Sequence, residues 1–179
     1  MIRKWWGKYR INIYYVIWIM LAGTILHFVY EWSGYNAFVA LFSPVNESVW
    51  EHLKLFFMPA FLFTVFYYYR IGEKNQDYLW CQTKSILAGM GLIIVIYFTY
   101  LGIVKQECVW IDIGIFYLSA AGAGVIAGKC SSQMHDGNIE YRKYASIILL
   151  LFWALFVWFT YRIPEPLLKW LPGLFLSEA

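Results

Sequence analysis

Five apolar runs, at about 12–32, 53–71, 84–104, 109–128 and 144–162, are separated by short polar breaks along this chain. Each is close to the roughly 20 residues a helix needs to cross a hydrocarbon core of about 30 Å. The runs are continuous rather than alternating, and in lipid a helix satisfies its own backbone hydrogen bonds. The pattern predicts an all-α fold: a polytopic transmembrane bundle of about five helices, multi-pass in the cell membrane, forming one integral membrane domain over 1–179. Ser33 to His52 is semi-polar and too short to cross on its own, so 35–45 is expected to be re-entrant or interfacial. Pro164, Pro166 and Pro172 break the last segment, which makes 163–179 interfacial; its insertion would add a sixth span.

The start of the second span can be read in two ways. Ser43-Pro44 suits an N-cap followed by the first helical position, and Ser48-x-x-Glu51 fits a capping box. Pro59 lies mid-span, where a kink is expected. Small residues gather in the third and fourth spans (Ala88, Gly89, Gly91, and Ala120 to Gly124 with Ala127 and Gly128), where they allow close helix packing.

Composition agrees with the pattern. The 179 residues are 61% hydrophobic and 14% charged, against about 25% charged in soluble domains. Trp5, Trp6, Trp32, Trp80, Trp110 and Trp170 fall near run ends, at the level of lipid headgroups. The charged N-terminal stretch is followed by an apolar run too long for a signal peptide and without a small-x-small cleavage site, so it reads as an uncleaved first span. Charge orients the bundle. Arg3, Lys4, Lys8, Arg10, Arg70, Lys74, Lys84, Lys129, Arg142 and Lys143 fall on one side; Lys54, Lys105, Arg162 and Lys169 fall on the other. The bias predicts a cytoplasmic N-terminus and an outer location for Asn46–His52. The basic residues lie in separate short loops, which argues for a lipid bilayer and against nucleic acid as partner. Cys81, Cys108 and Cys130 form no C-x-x-C pair and read as inert apolar cysteines, not as a zinc or disulfide framework.

One stretch resists the apolar background. Asn46-Glu47-Ser48-Val49-Trp50-Glu51-His52 sets two carboxylates, an amide, a hydroxyl and an imidazole between hydrophobic runs. A charge at a helix centre in lipid costs about 2.5–3.5 kcal/mol on insertion scales, so these groups belong at an interface, in a wet cavity or around a ligand. His27 and Glu31, four apart, share a face of the first helix near the same boundary. Glu47 and Glu51 share another, and Ser48 and His52 a neighbouring one. Imidazole with carboxylate suits Zn²⁺ or Fe²⁺. The expected metal set is His27, Glu31 and His52, a divalent ion such as zinc being the cofactor. Glu51 and His52 are the catalytic candidates, and Asn46, Glu47 and Ser48 complete a polar binding site. The competing structural reading has Glu47 and Glu51 stabilising the helix N-terminus, Lys54 pairing with one of them, and His27 hydrogen-bonding a neighbouring helix. Asp112, opening the fourth span, either joins the cluster or caps its own helix. His135-Asp136-Gly137 reads as a solvated loop.

No Walker loop, G-x-G-x-x-G, G-x-S-x-G or H-E-x-x-H is present. Ser48-x-x-x-His52 resembles one motif of the membrane ceramidase and progestin-receptor-like hydrolases, but the paired late histidines those enzymes need are missing, since no His follows His135. His27-x-x-Tyr30-Glu31-Trp32-Ser33-Gly34, with Pro44-Val45-Asn46-Glu47-Ser48-Val49-Trp50-Glu51-His52-Leu53-Lys54, resembles an uncharacterised family of small bacterial integral membrane proteins. The resemblance implies a small, membrane-embedded bacterial protein and carries no activity. The expectation from the residues is a metal or acid/base site near the outer face, acting on a lipid-like or small molecule. The alternatives are a substrate-binding membrane subunit, similar to the vitamin-binding subunits of energy-coupling transporters, and a non-catalytic accessory protein with a membrane partner or a second copy. Ala123-x-x-x-Ala127 is a late match to the helix face of those subunits.

Overall fold

The computed structural model describes residues 2–71, 78–133 and 139–162. Within them the chain is all helical: α1 (Ile2–Trp32), a 3₁₀ turn (Val39–Leu41), α2 (Val49–Ile71), α3 (Tyr78–Val104), α4 (Val109–Gln133) and α5 (Ile139–Tyr161). All five α-helices are long and apolar enough to cross a membrane. Their large exposed side chains are what lipid would cover, for example Leu21, Val95, Ile103, Leu118 and Leu150. The C-terminal segment 163–179 and His135 lie outside the described residues.

Helices α1, α2, α3 and α4 each pack on the next, and α4 closes back on α1. Helix α5 lies outside this ring, against α2 and α3. Helix α2 is the interior element. In its most apolar stretch 61% of residues are buried, against 17–28% in the other four. Phe56, Phe57, Met58 and Ala60 fill the middle, with Tyr15, Ile19, Ile86, Ala120 and Phe156 around them. Aromatic rings do much of this packing; Phe57 sits 5.1 Å from Phe156 between centroids.

Two local features set the approach of α1 to α2. Helix α1 ends in a Schellman turn: Gly34 N–H donates to the Glu31 carbonyl and Tyr35 N–H to the Tyr30 carbonyl. Gly34 takes the left-handed backbone that this turn requires, at φ 68°. Deeper in, α2 runs on through Pro59. Proline has no N–H, so the carbonyl of Leu55, four residues earlier, loses its helical donor. Gly23 of α1 lies against that carbonyl; a Cβ there would stand 2.5 Å from Leu55 O and 2.5 Å from the Phe116 ring. Glycine is what lets the helices meet at this point.

The segment expected to be interfacial folds over the ends of α1 and α5. Ser43 Oγ donates to the Leu26 carbonyl, Tyr161 Oη donates to the Ala37 carbonyl at 2.6 Å, and Ala40, Ser43 and Pro44 are buried. One expectation is corrected. Cys81 and Cys130 are disulfide-bonded, with Cα atoms 5.5 Å apart. The antiparallel α3–α4 hairpin brings the start of one helix level with the end of the other. A separation of 49 residues hides this from motif reading.

Candidate functional site

The polar heptapeptide starts helix α2. Asn46 Oδ1 accepts the Ser48 N–H at 3.0 Å, and Ser48 Oγ accepts the Glu51 N–H at 3.3 Å. Glu51 Oε2 reaches back to accept the Val45 N–H at 3.0 Å. Of the two starts suggested by sequence, the one with Ser48 as N-cap is seen. Glu47 therefore precedes the helix, and the four-residue spacing that would align it with Glu51 does not apply. Asn46 and Ser48, expected in a binding site, are turned toward backbone donors.

Glu51 goes further inward, away from the histidines. It is 3% exposed in its side chain and Lys54 is 0% exposed, with Nζ and Oε2 2.7 Å apart. Lys54 Nζ also donates to the Ala40 carbonyl at 3.1 Å and to Thr160 Oγ1. Thr160 Oγ1 in turn stands 3.0 Å from Glu51 Oε1. The ammonium has three protons and three close acceptors, so the pair is saturated. It ties α2 to the α1–α2 connection and to α5. Thr160 lies 106 residues from Lys54, and no local sequence signal marks it as a partner.

The other half of the motif faces α1. His52 Nε2 lies 3.3 Å from Glu47 Oε2, and the His27 and His52 rings are 5.3 Å apart between centroids. One ligand-type atom from each of His27, Glu47 and His52 lies within 4.8 Å of the others. Ligand atoms about 2.0–2.2 Å from a shared ion stand roughly 3.4 Å apart. The Glu47–His52 edge already has that length at 3.3 Å, and the edges to His27, within 4.8 Å, would close by at most roughly 1.4 Å around a shared ion. His27 is half-buried and its Nδ1 finds no hydrogen-bond partner. Glu47 is 71% exposed in its side chain. The hydrogen bond from His52 holds the Glu47 carboxyl below the ordinary glutamate range, against the opposing effect of partial desolvation.

His52 Nδ1 lies 3.1 Å from the Ser48 carbonyl. A carbonyl only accepts, so Nδ1 carries a proton there. Nε2 of a neutral ring then points a lone pair at the Glu47 carboxylate. That contact is repulsive unless a positive charge lies between the two atoms, either a proton or a metal ion.

Glu31, expected beside His27 as a metal ligand, is exposed and stands outside the trio. It sits one turn, about 5.4 Å, further along α1, at the Schellman turn. Among the described residues, Glu47 is the carboxylate grouped with the two histidines. Asp112 of α4 lies within electrostatic reach of His52, and its Oδ1 is buried with no hydrogen-bond partner.

Comparison with known families matches residues 2–171 to the family of unknown function DUF6512, so the chain belongs to that family. No curated protein matches, and no solved structure matches.

Proposed function

We propose that this DUF6512 protein holds a divalent cation such as Zn²⁺ at His27, Glu47 and His52, and uses it in acid/base chemistry on a lipid-like or small molecule. The observation that carries this reading is the His52 contact: Nδ1 is committed to the Ser48 carbonyl while Nε2 faces a carboxylate. A histidine whose second nitrogen donates to a backbone carbonyl is oriented as metal-binding histidines are. The unpartnered His27 nitrogen adds a second ligand. Three protein ligands leave a coordination position open, as catalytic zinc sites do. An ion held by these three residues would polarise a carbonyl or phosphoryl oxygen and lower the pKa of a bound water toward 7. The apolar side of a substrate has matching surface nearby. Phe28 packs edge-on against His27 and stacks on Trp32, and both are exposed.

A proton in place of the metal satisfies the same contact, giving a proton-handling site instead. Elemental analysis of the purified full chain, before and after incubation with Zn²⁺, separates the two. The metal reading expects close to one ion per chain, lost in the His27→Ala, His52→Ala double variant. Metal content far below one per chain, and indifferent to the double variant, would sink it.

A further inference from the structure

We infer that Asp112 is the second carboxylate of this site and accepts a hydrogen bond from the water held at the open position of the metal; this rests on the metal reading above. The placement follows from helix register. Gly23 of α1, Leu55 of α2 and Phe116 of α4 meet in one layer, because a Cβ on Gly23 would touch both the Leu55 carbonyl and the Phe116 ring. One helical turn toward the loop end from that layer brings His27 on α1, His52 on α2 and Asp112 on α4, at steps of four, three and four residues. Three helices therefore deliver two imidazoles and a carboxylate to one level, and Glu47 approaches from the chain entering α2.

The chemistry of Asp112 fits that place. Its Oδ1 is, among the described residues, the buried carboxylate oxygen with no hydrogen-bond partner. A buried acceptor left unsatisfied is costly, so this oxygen calls for a donor. Asp112 lies outside the set of atoms close enough to share an ion, yet within electrostatic reach of His52. Such a placement, near the trio but outside it, suits a group that would bind a ligand on the metal rather than the metal itself. Glu107, a neighbouring carboxylate on the α3–α4 connection, is exposed and engaged by Tyr97, and so does not fill this role.

The test is Co²⁺ titration of the purified full chain in detergent, followed by absorbance, with the unfolding midpoint of the metal-free protein measured in parallel. Asp112→Asn is expected to weaken Co²⁺ binding about 10–100-fold, as loss of a carboxylate behind a metal centre does, while leaving the metal-free midpoint unchanged. Glu107→Gln, which removes a similar charge from nearby, is expected to change affinity by less than about threefold, since exposed charges are screened. Should Asp112→Asn not fold, Asp112→Ser suits the first turn of a helix and removes the same carboxylate, with the same loss expected. Wild-type Co²⁺ binding with an Asp112 variant within about threefold of it overturns this inference and leaves the His27–Glu47–His52 reading standing. Equal losses in the Asp112 and Glu107 variants overturn it too, by showing a general charge effect. Absence of Co²⁺ binding in the wild type overturns both.

Discussion

Glu47 and Glu51 stand four residues apart in the same heptapeptide and have opposite surroundings. Glu51 is sealed under Lys54, Thr160 and the Val45 N–H. Glu47 is exposed, and its close partner is a histidine that already has another bond. The Glu51 half leaves none of the Lys54 protons for a ligand. The Glu47 half needs a proton or another cation between His52 Nε2 and the carboxylate, and leaves His27 Nδ1 unpaired. A group of charges that serves only the fold tends toward the first state, because buried polar atoms are normally satisfied. The second state costs stability and is what a ligand site looks like before its ligand arrives.

The largest effect belongs to the sealed half. Lys54→Met leaves Glu51 buried without its cation, and breaking a buried pair costs about 3–5 kcal/mol. Chemical unfolding in detergent is expected to show that loss. The double variant Glu51→Gln, Lys54→Met should recover most of it, since an uncharged set needs no counter-ion. If Lys54→Met alone unfolds at the wild-type midpoint, the sealed half is not holding the bundle together.

Next comes the layer beneath both halves. Gly23→Ala puts a methyl into the Leu55 carbonyl and the Phe116 ring. Overpacking of this kind costs about 1–3 kcal/mol. Because α1 must shift, His27 moves with it, so metal binding should weaken along with stability. A Gly23→Ala protein of full stability and unaltered Zn²⁺ content would contradict the proposed layer.

His27→Leu should do the reverse of Lys54→Met. It removes a buried nitrogen that has no partner, and replacing such an atom by an apolar group is neutral or stabilising by up to about 1 kcal/mol. The same variant should lose bound Zn²⁺. A clear loss of stability in metal-free His27→Leu would mean that His27 is a packing residue with a hidden donor.

The hydropathy pattern made the helices legible, because lipid-crossing length and apolarity are properties of single segments. Most of the polar site was legible as composition: His27, Glu47, Glu51 and His52 stand out against an apolar background. What they divide into was not. The choice of Ser48 over Ser43 as the helix start moved Glu47 out of the helix and onto His52, and i,i+4 reasoning assumes the start is known. Thr160 and Cys130 reach their partners only through tertiary packing. Asp112 was a borderline candidate, because its value depends on the register of α4 against α1, which Gly23 sets and periodicity alone does not reveal.

The smallest effect is a pH dependence in the open half. In metal-free protein the Glu47 carboxyl titrates below the ordinary glutamate range, chiefly because His52 hydrogen-bonds its charged form. A carboxylate with a depressed folded value stabilises the fold above its unfolded value, and that contribution fades as pH falls through the folded one. Glu47 is mostly exposed, so the gain is screened and stays below about 1 kcal/mol. Comparing wild type with Glu47→Gln, both freed of metal by chelation, isolates it. The difference in unfolding free energy should be small and positive for wild type near neutral pH, where Glu47 is fully ionised. It should shrink on acidification through the glutamate range and reach zero only below the depressed folded value. A difference that instead widens as pH falls through the glutamate range, where His52 is already charged, would show that Glu47 is held in its protonated form, and the Glu47–His52 contact would then need no bridging cation.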